Sequence, residues 1–249
     1  MSDEARDLEG ALTRLAECEQ EMDRAEKDAE IYRIKNTQKI YTKRSEIIKK
    51  IPNFWYIVLA ENEDFAEYIR IEDLKYLEAL SNIHVEYDVD GAKPRNFTLT
   101  IAFETDNQDS IKNQTVQKHF EIVTEDGEEK LVSDAVGVQW PASLDSINPH
   151  KLKAAHGADM SQDQKKLYRQ GMKSFFAFFA WTGRKPGKEF RNGEELARLI
   201  VDDIYPYAVK YYTEALRGDD DDEFTSEGEE LDISDSDSDE PSKKKIKST

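Results

Sequence analysis

This chain is poor in the residues that build covalent scaffolds and active sites. Cys18 is its only cysteine, so an intrachain disulfide is excluded. No proline precedes Pro52, and Gly10 is the only glycine before it. No run approaches the ~20 apolar residues of a membrane span. The longest apolar-rich stretches, 54–60 and 175–181, are short and aromatic and read as core. The opening MSDEARDLEG is polar and acidic, unlike a secretory signal. A soluble, intracellular chain is expected. There is no Gly-rich phosphate loop and no Gly-x-Ser-x-Gly elbow. His84, His119, His150 and His156 are scattered, at no metal-ligand spacing. The adjacent acids Glu194-Glu195 and Asp202-Asp203 lack the second half of an acid–base mechanism. No catalytic residue, metal site or cofactor is expected.

What is abundant is negative charge. The 249 residues carry 35 Lys and Arg against 53 Asp and Glu, a formal net charge of -18. Between positions 218 and 240 there are 13 acids and no base, and the last nine residues hold Lys243, Lys244, Lys245 and Lys247. Taking the tail's -13 and the terminal +4 out of -18 leaves -9 on residues 1–217. Such a body repels nucleic acid and anionic membrane and steers basic proteins towards itself.

The first 51 residues read as one long helix. Leu8, Leu15, Met22 and Ala29 recur at seven, and Ala11, Cys18, Ala25 and Tyr32 fill the position three later. That is an a/d seam flanked by charge. The strict heptad fails at Asn36 and Lys43, and the stripe resumes at Ile40, Ile47 and Ile51, as after a four-residue stutter. The helix should stop at Pro52. A helix of ~65–70 Å cannot bury its stripe on a domain of ~170 residues, about 30–35 Å across. Self-association through the seam is expected, parallel or antiparallel; a solvated single helix is the alternative.

Residues 52–217 read as an α+β domain. Asn53 to Ala79 should form short helices. Period-two alternation then marks four antiparallel strands: Ile83/Val85/Tyr87/Val89, Phe97/Leu99/Ile101/Phe103, Val116/Phe120/Ile122, and Val136/Val138/Trp140. Asp90-Gly91 and Asp126-Gly127 supply turns. Ser161 with Gln164 forms a capping box ahead of Phe175-Phe176 and Phe178-Phe179. Asn192 with Glu195 resembles a second, opening a helix that Pro206 interrupts. Residues 218–249 are expected to be disordered, because they carry little apolar surface to offset ordering.

Three segments bear on partners. Asp219, Asp220, Asp221, Asp222 and Glu223 open a polyanion that can occupy Lys/Arg-rich surfaces, or can serve only for solubility. Ser226, Ser234 and Ser236 each have an acid three residues on, a context for phosphorylation that would deepen the same field. Lys243, Lys244, Lys245 and Lys247 read as a nuclear localisation signal, or as a tether to the preceding acids. Against this trend, residues 151–191 hold ten bases and three acids. They either touch DNA or an acidic partner, or pair with neighbouring acidic helices.

The order of these elements identifies a resemblance. A long helix ends in Ile51-Pro52-Asn53-Phe54-Trp55, and a sheet closes in Val138-Gln139-Trp140. Ser174-Phe175-Phe176-Ala177-Phe178-Phe179, Asp202-Asp203-Ile204-Tyr205-Pro206 and Tyr211-Tyr212 follow before the acidic tail. Over residues 6–217 the chain resembles the SET / nucleosome assembly protein family of histone chaperones, closest to its fungal SET-like branch, which carries a vacuolar-protein-sorting name. The resemblance implies a homodimer joined by the long helix, with Leu8, Leu15, Cys18, Met22, Ala25, Ala29, Tyr32, Ile40, Ile47 and Ile51 as its seam. It implies two earmuff-like lobes over an acidic surface for core histones, the H3–H4 pair first and the other core-histone dimer second. It implies a fungal histone H3 acetyltransferase as a further partner, and a nuclear address. Glu194, Glu195, Asp202 and Asp203 on the lobe, with Asp219–Glu223, are the candidate histone-binding acids. Residues 151–170 and 183–187 do not match the family pattern. The rival expectations are an inhibitor of an enzyme, as of a phosphatase, and a coiled-coil adaptor.

Overall fold

The computed structural model describes residues 3–89, 91, 93–107, 110–157 and 159–217. Helix α1 (Asp3–Ile48) is 46 residues long, hence ~69 Å. Its end tightens through Lys50 N–H to the Ile47 carbonyl and Ile51 N–H to the Ile48 carbonyl, just before Pro52 removes the next donor. Asn53 turns the chain with φ 54° into α2 (Phe54–Glu61). Asn62 caps α3 (Glu63–Glu67), and a 3-10 turn leads into α4 (Leu74–Leu77). The expected run of short helices is therefore present.

Four antiparallel strands follow, in the order β1-β2-β3-β4: β1 (Leu80–Tyr87), β2 (Phe97–Phe103), β3 (Gln114–Glu125) and β4 (Glu128–Ser133). The count matches the expectation, but the fourth strand does not. Val136, Val138 and Trp140 lie in irregular chain, partly buried against the core. The true β4 begins with Glu128-Glu129-Lys130 and follows the turn at Asp126 (φ 54°) and Gly127 (φ 86°). Two positive-φ residues between Glu125 and Glu128, which pair directly, close a tight hairpin whose twist suits its strands. Of the other expected turn, Asp90 lies outside the described residues.

One sheet face builds the core. Register places Phe97 opposite Phe120, Leu99 opposite Lys118 and Ile101 opposite Val116, and all six are buried. Against this face packs α7 (Phe175–Phe178), with Phe176 on Phe103 and Phe178 on Phe120. Buried Asp73 holds the start of α7, accepting from Ser174 Oγ at 3.0 Å and Phe175 N–H at 2.9 Å. Burial pushes its carboxyl above the usual range, while these donors oppose the shift. Lys118 is fully buried in the same layer. Its ammonium donates to the carbonyls of Asp134, Phe179 and Trp181 at 2.7–3.0 Å, tying the chain beyond β4 and α7 to β3.

The remaining helices are α5 (Pro149–His156), α6 (Gln162–Gly171), α8 (Gly193–Arg198) and α9 (Tyr205–Arg217). The Ser161–Gln164 box forms. The Asn192–Glu195 box does not: Asn192 sits at φ 56° with no side-chain cap. Pro206 does not interrupt the last helix either. A π turn over Leu199–Ile204 joins α8 to α9, and it relieves the clash that a proline ring makes with the preceding α-helical turn. Arg44 of α1 reaches this junction and donates to the Tyr205 and Pro206 carbonyls at 2.5 and 3.0 Å. The tail lies outside the described residues.

Candidate functional site

Two stripes divide α1. Ile34, Tyr41 and Ile48, spaced by seven, turn towards the lobe with Ser45 between them. Ile34 is 2% exposed, Ser45 Oγ bonds Asn82 at 3.3 Å, and Arg44 lies over the rings of Tyr41 and Tyr205. Ion pairs extend the attachment: Lys27 to Glu129, and Arg95 to both Glu129 and Glu30. Roughly a third of a turn away runs the anticipated seam. Leu8, Leu15, Cys18, Met22, Ala25, Ala29, Tyr32, Ile40 and Ile47 are all exposed, and so is Leu12, which the heptad reading omitted. Ile51 departs from them: it lies past the helix end, half-buried against the lobe core. An exposed apolar line of this length on a single chain asks for a partner.

The four lobe acids do not form one group. Glu194 is half-buried, accepting from Leu131 N–H at 3.2 Å and from Arg198 at 2.9 Å. Asp203 accepts from Tyr211 at 2.6 Å and from Asn62 at 3.3 Å. These two carboxylates work inside the lobe. Glu195 and Asp202 are exposed. Glu195 acts with Glu67 and Asp64 of α3 on the Tyr68 phenol, whose pKa burial first and these charges next push up. Asp64 also acts on Tyr211, pushed up to about 12 by burial and by its bond to Asp203. Glu195, Glu67 and Asp64 therefore all lie near Tyr68, with α3 supplying two members that the sequence reading did not single out. The acid-rich run Glu61–Glu67 was the available signal. Asp202 faces α1 instead. Loss of solvent around its carboxyl first, and the Glu30 charge next, raise its pKa, against Arg198, Arg33 and Arg95.

The basic segment resolves differently from either extreme. Lys151 pairs with Asp145 at 2.6 Å and Arg184 with Asp134 at 3.1 Å. Among the described residues Lys153, Lys165, Lys166, Lys173, Lys185, Lys188 and Arg191 make no ion pair, and all seven are exposed. Ion pairs thus account for two of the ten cations, and their partners lie in the 142–147 turn and just past β4 rather than on acidic helices. Asp219–Glu223, Ser226, Ser234, Ser236 and Lys243–Lys247 lie outside the described residues.

Comparison with known proteins agrees with this architecture. The family model described as nucleosome assembly protein matches residues 13–215. Vacuolar protein sorting-associated protein 75 of Saccharomyces cerevisiae is 41% identical over 99% of both chains. A putative nucleosome assembly protein of Schizosaccharomyces pombe is 32% identical over 90% of this chain and 86% of its own. The crystal structure of the Vps75 histone chaperone superposes with TM-score 0.74 at 42% identity, covering 84% of this chain and 99% of that one.

Proposed function

This chain belongs to the nucleosome assembly protein family, and from that premise we propose that it is a nuclear histone chaperone working as a homodimer. The observation that carries the proposal is a folded body that is acidic without its tail, net -9 over residues 1–217, with Glu195, Glu67 and Asp64 exposed near Tyr68. The exposed α1 seam joins two chains. The histone H3–H4 pair is the first cargo and the other core-histone dimer the second. Carboxylates occupy histone Lys/Arg surfaces, weakening nonspecific DNA contacts while leaving polyphosphate able to compete for them at the assembly site.

In this reading Glu195 and Asp202 are the binding members of the original four, whereas Glu194 and Asp203 position the lobe. Asp219–Glu223 extend the field, and phosphate on Ser226, Ser234 or Ser236 would add about -1.5 to -2 each. Lys243, Lys244, Lys245 and Lys247 supply nuclear import, and a histone H3 acetyltransferase is the enzyme that draws on the bound cargo. The test is titration of each core-histone pair into the purified chain with its mass followed by light scattering. Salt-sensitive binding to a dimer of ~57 kDa, twice the 28.7 kDa chain, is expected. Reversing Glu195, Glu67 and Asp64 to lysine should weaken binding with an unchanged melting temperature. Deleting 218–240 should weaken it without abolishing it. No binding at physiological salt would reject the proposal, and binding that vanishes with the tail would reject the role of the body.

A further inference from the structure

We propose that the groove between α5, α6 and the 183–190 loop is a docking site for an acidic peptide segment bearing an apolar side chain, presented by a partner protein. The groove encloses about 260 Å³ and brings together Lys153 of α5 with Lys185 and Lys188 of the loop. None of these three ammonium groups has an ion-pair partner among the described residues, and all three are exposed. They stand on a body whose net charge is -9, so their convergence runs against the average field.

The one carboxylate in the lining is already committed. Glu189 accepts from Thr182 N–H at 2.5 Å, Thr182 Oγ1 at 2.8 Å and Lys185 N–H at 2.5 Å. It folds its own loop and leaves the lysines to an outside anion. Between the cations the wall is apolar, from half-buried Tyr168 and Met172 and buried Phe190. A methionine beside an aromatic ring forms a surface that accommodates varied apolar groups.

This combination selects among anions. Duplex DNA offers a convex row of phosphates and no apolar group that enters such a groove. A peptide with two or three carboxylates around a phenylalanine or leucine satisfies both features. The inference does not rest on the histone reading.

The test uses the full-length chain and a fluorescein-labelled twelve-residue peptide of alternating Glu and Asp with one Phe and one Leu near its centre. Fluorescence anisotropy near physiological salt should show saturable binding. The triple variant Lys153→Glu, Lys185→Glu, Lys188→Glu should weaken it by on the order of tenfold or more. The variant Lys165→Glu, Lys166→Glu reverses unpaired lysines that do not line the groove and should leave affinity within about twofold of the parent. Equal affinity for a peptide with Ser in place of Phe and Leu would overturn the apolar part of the site. Tighter binding of a twelve-base-pair duplex, lost in the same triple variant, would assign the groove to nucleic acid instead. No saturable peptide binding, or equal losses in both lysine variants, would also overturn the proposal.

Discussion

Replacing Leu15 and Met22 with glutamine would strip two apolar groups from the α1 seam without adding charge. Glutamine keeps helix propensity near that of leucine and methionine, so the helix itself should persist. Both side chains are 60% exposed in the single chain. Fully burying such a side chain contributes about 1.5–3 kcal/mol, so covering the exposed part contributes roughly 1–2 kcal/mol each. Two positions on each of two chains then give roughly 4–8 kcal/mol, which weakens the dimer by about a thousandfold to a millionfold. Sedimentation velocity from nanomolar to micromolar protein should show the parent as a dimer and the variant shifting to monomer within that range. The lobe should still melt cooperatively, because neither residue touches it. Ile34→Ala on the lobe-facing stripe, where the parent side chain is 2% exposed, should instead cost the lobe about 2–5 kcal/mol in denaturant unfolding. A variant still dimeric at the lowest concentration, or a parent that is monomeric throughout, would refute the seam argument.

Gly171 at the end of α6 approaches the Ile147 carbonyl so closely that an added Cβ would sit 1.8 Å from that oxygen. Gly171→Ala should therefore destabilise by about 3 kcal/mol or more, read as a lower midpoint in urea. Removing Lys118 by Lys118→Met should also destabilise, since the Asp134 carbonyl loses this donor at about 1–3 kcal/mol, whereas the Phe179 and Trp181 carbonyls keep Val136 N–H and Ser133 Oγ. If stability hardly changes, the ammonium does not clamp the segments beyond β4 and α7. His84 gives a pH signature. Burial lowers its pKa below 6.5, so between the folded value and 6.5 the unfolded chain binds more protons. Stability should fall as pH drops through 6.5 and level off below the folded pKa. His84→Asn should remove that component of the slope when unfolding free energy is measured from pH 8 to 5.

How much was legible before the structure depended on whether a residue's role was local. The exposed apolar stripe of α1 showed because a period of seven along an alanine- and glutamate-rich run leaves few other readings. The second stripe at Ile34, Tyr41 and Ile48 has the same period and was equally visible, yet it marks the helix face that meets its own lobe. Period alone does not say which stripe meets the lobe and which stays exposed. The fourth strand was misplaced for a physical reason. At a sheet edge, polar residues such as Glu128, Glu129 and Lys130 discourage further pairing, so β4 lacks the alternation that Val136, Val138 and Trp140 display without pairing. The acids are the hardest case. Glu194 and Glu195 are adjacent, but one answers Leu131 N–H 63 residues earlier and the other faces solvent. Only tertiary structure separates such neighbours.

The two stripes of α1 also bear on how binding and assembly are connected. The lobe is attached along the C-terminal half of the helix by Ile34, Tyr41 and Ile48, by the Lys27–Glu129–Arg95–Glu30 ion pairs, and by Arg44 at the π turn. The seam starts far from the lobe at Leu8 and continues past it to Ile47, on the same rigid rod. Pairing two seams would therefore set the distance and angle between two lobes with few soft joints. The π turn is part of that geometry, because it runs up to Tyr205 and Pro206, whose carbonyls Arg44 binds. Asp202 lies within the same turn and feels Glu30 and Arg33 of α1. A change that loosens Arg44, such as Arg44→Met, should leave the seam intact while freeing the lobe. It should weaken binding of a cargo that needs both lobes and leave the dimer mass unchanged.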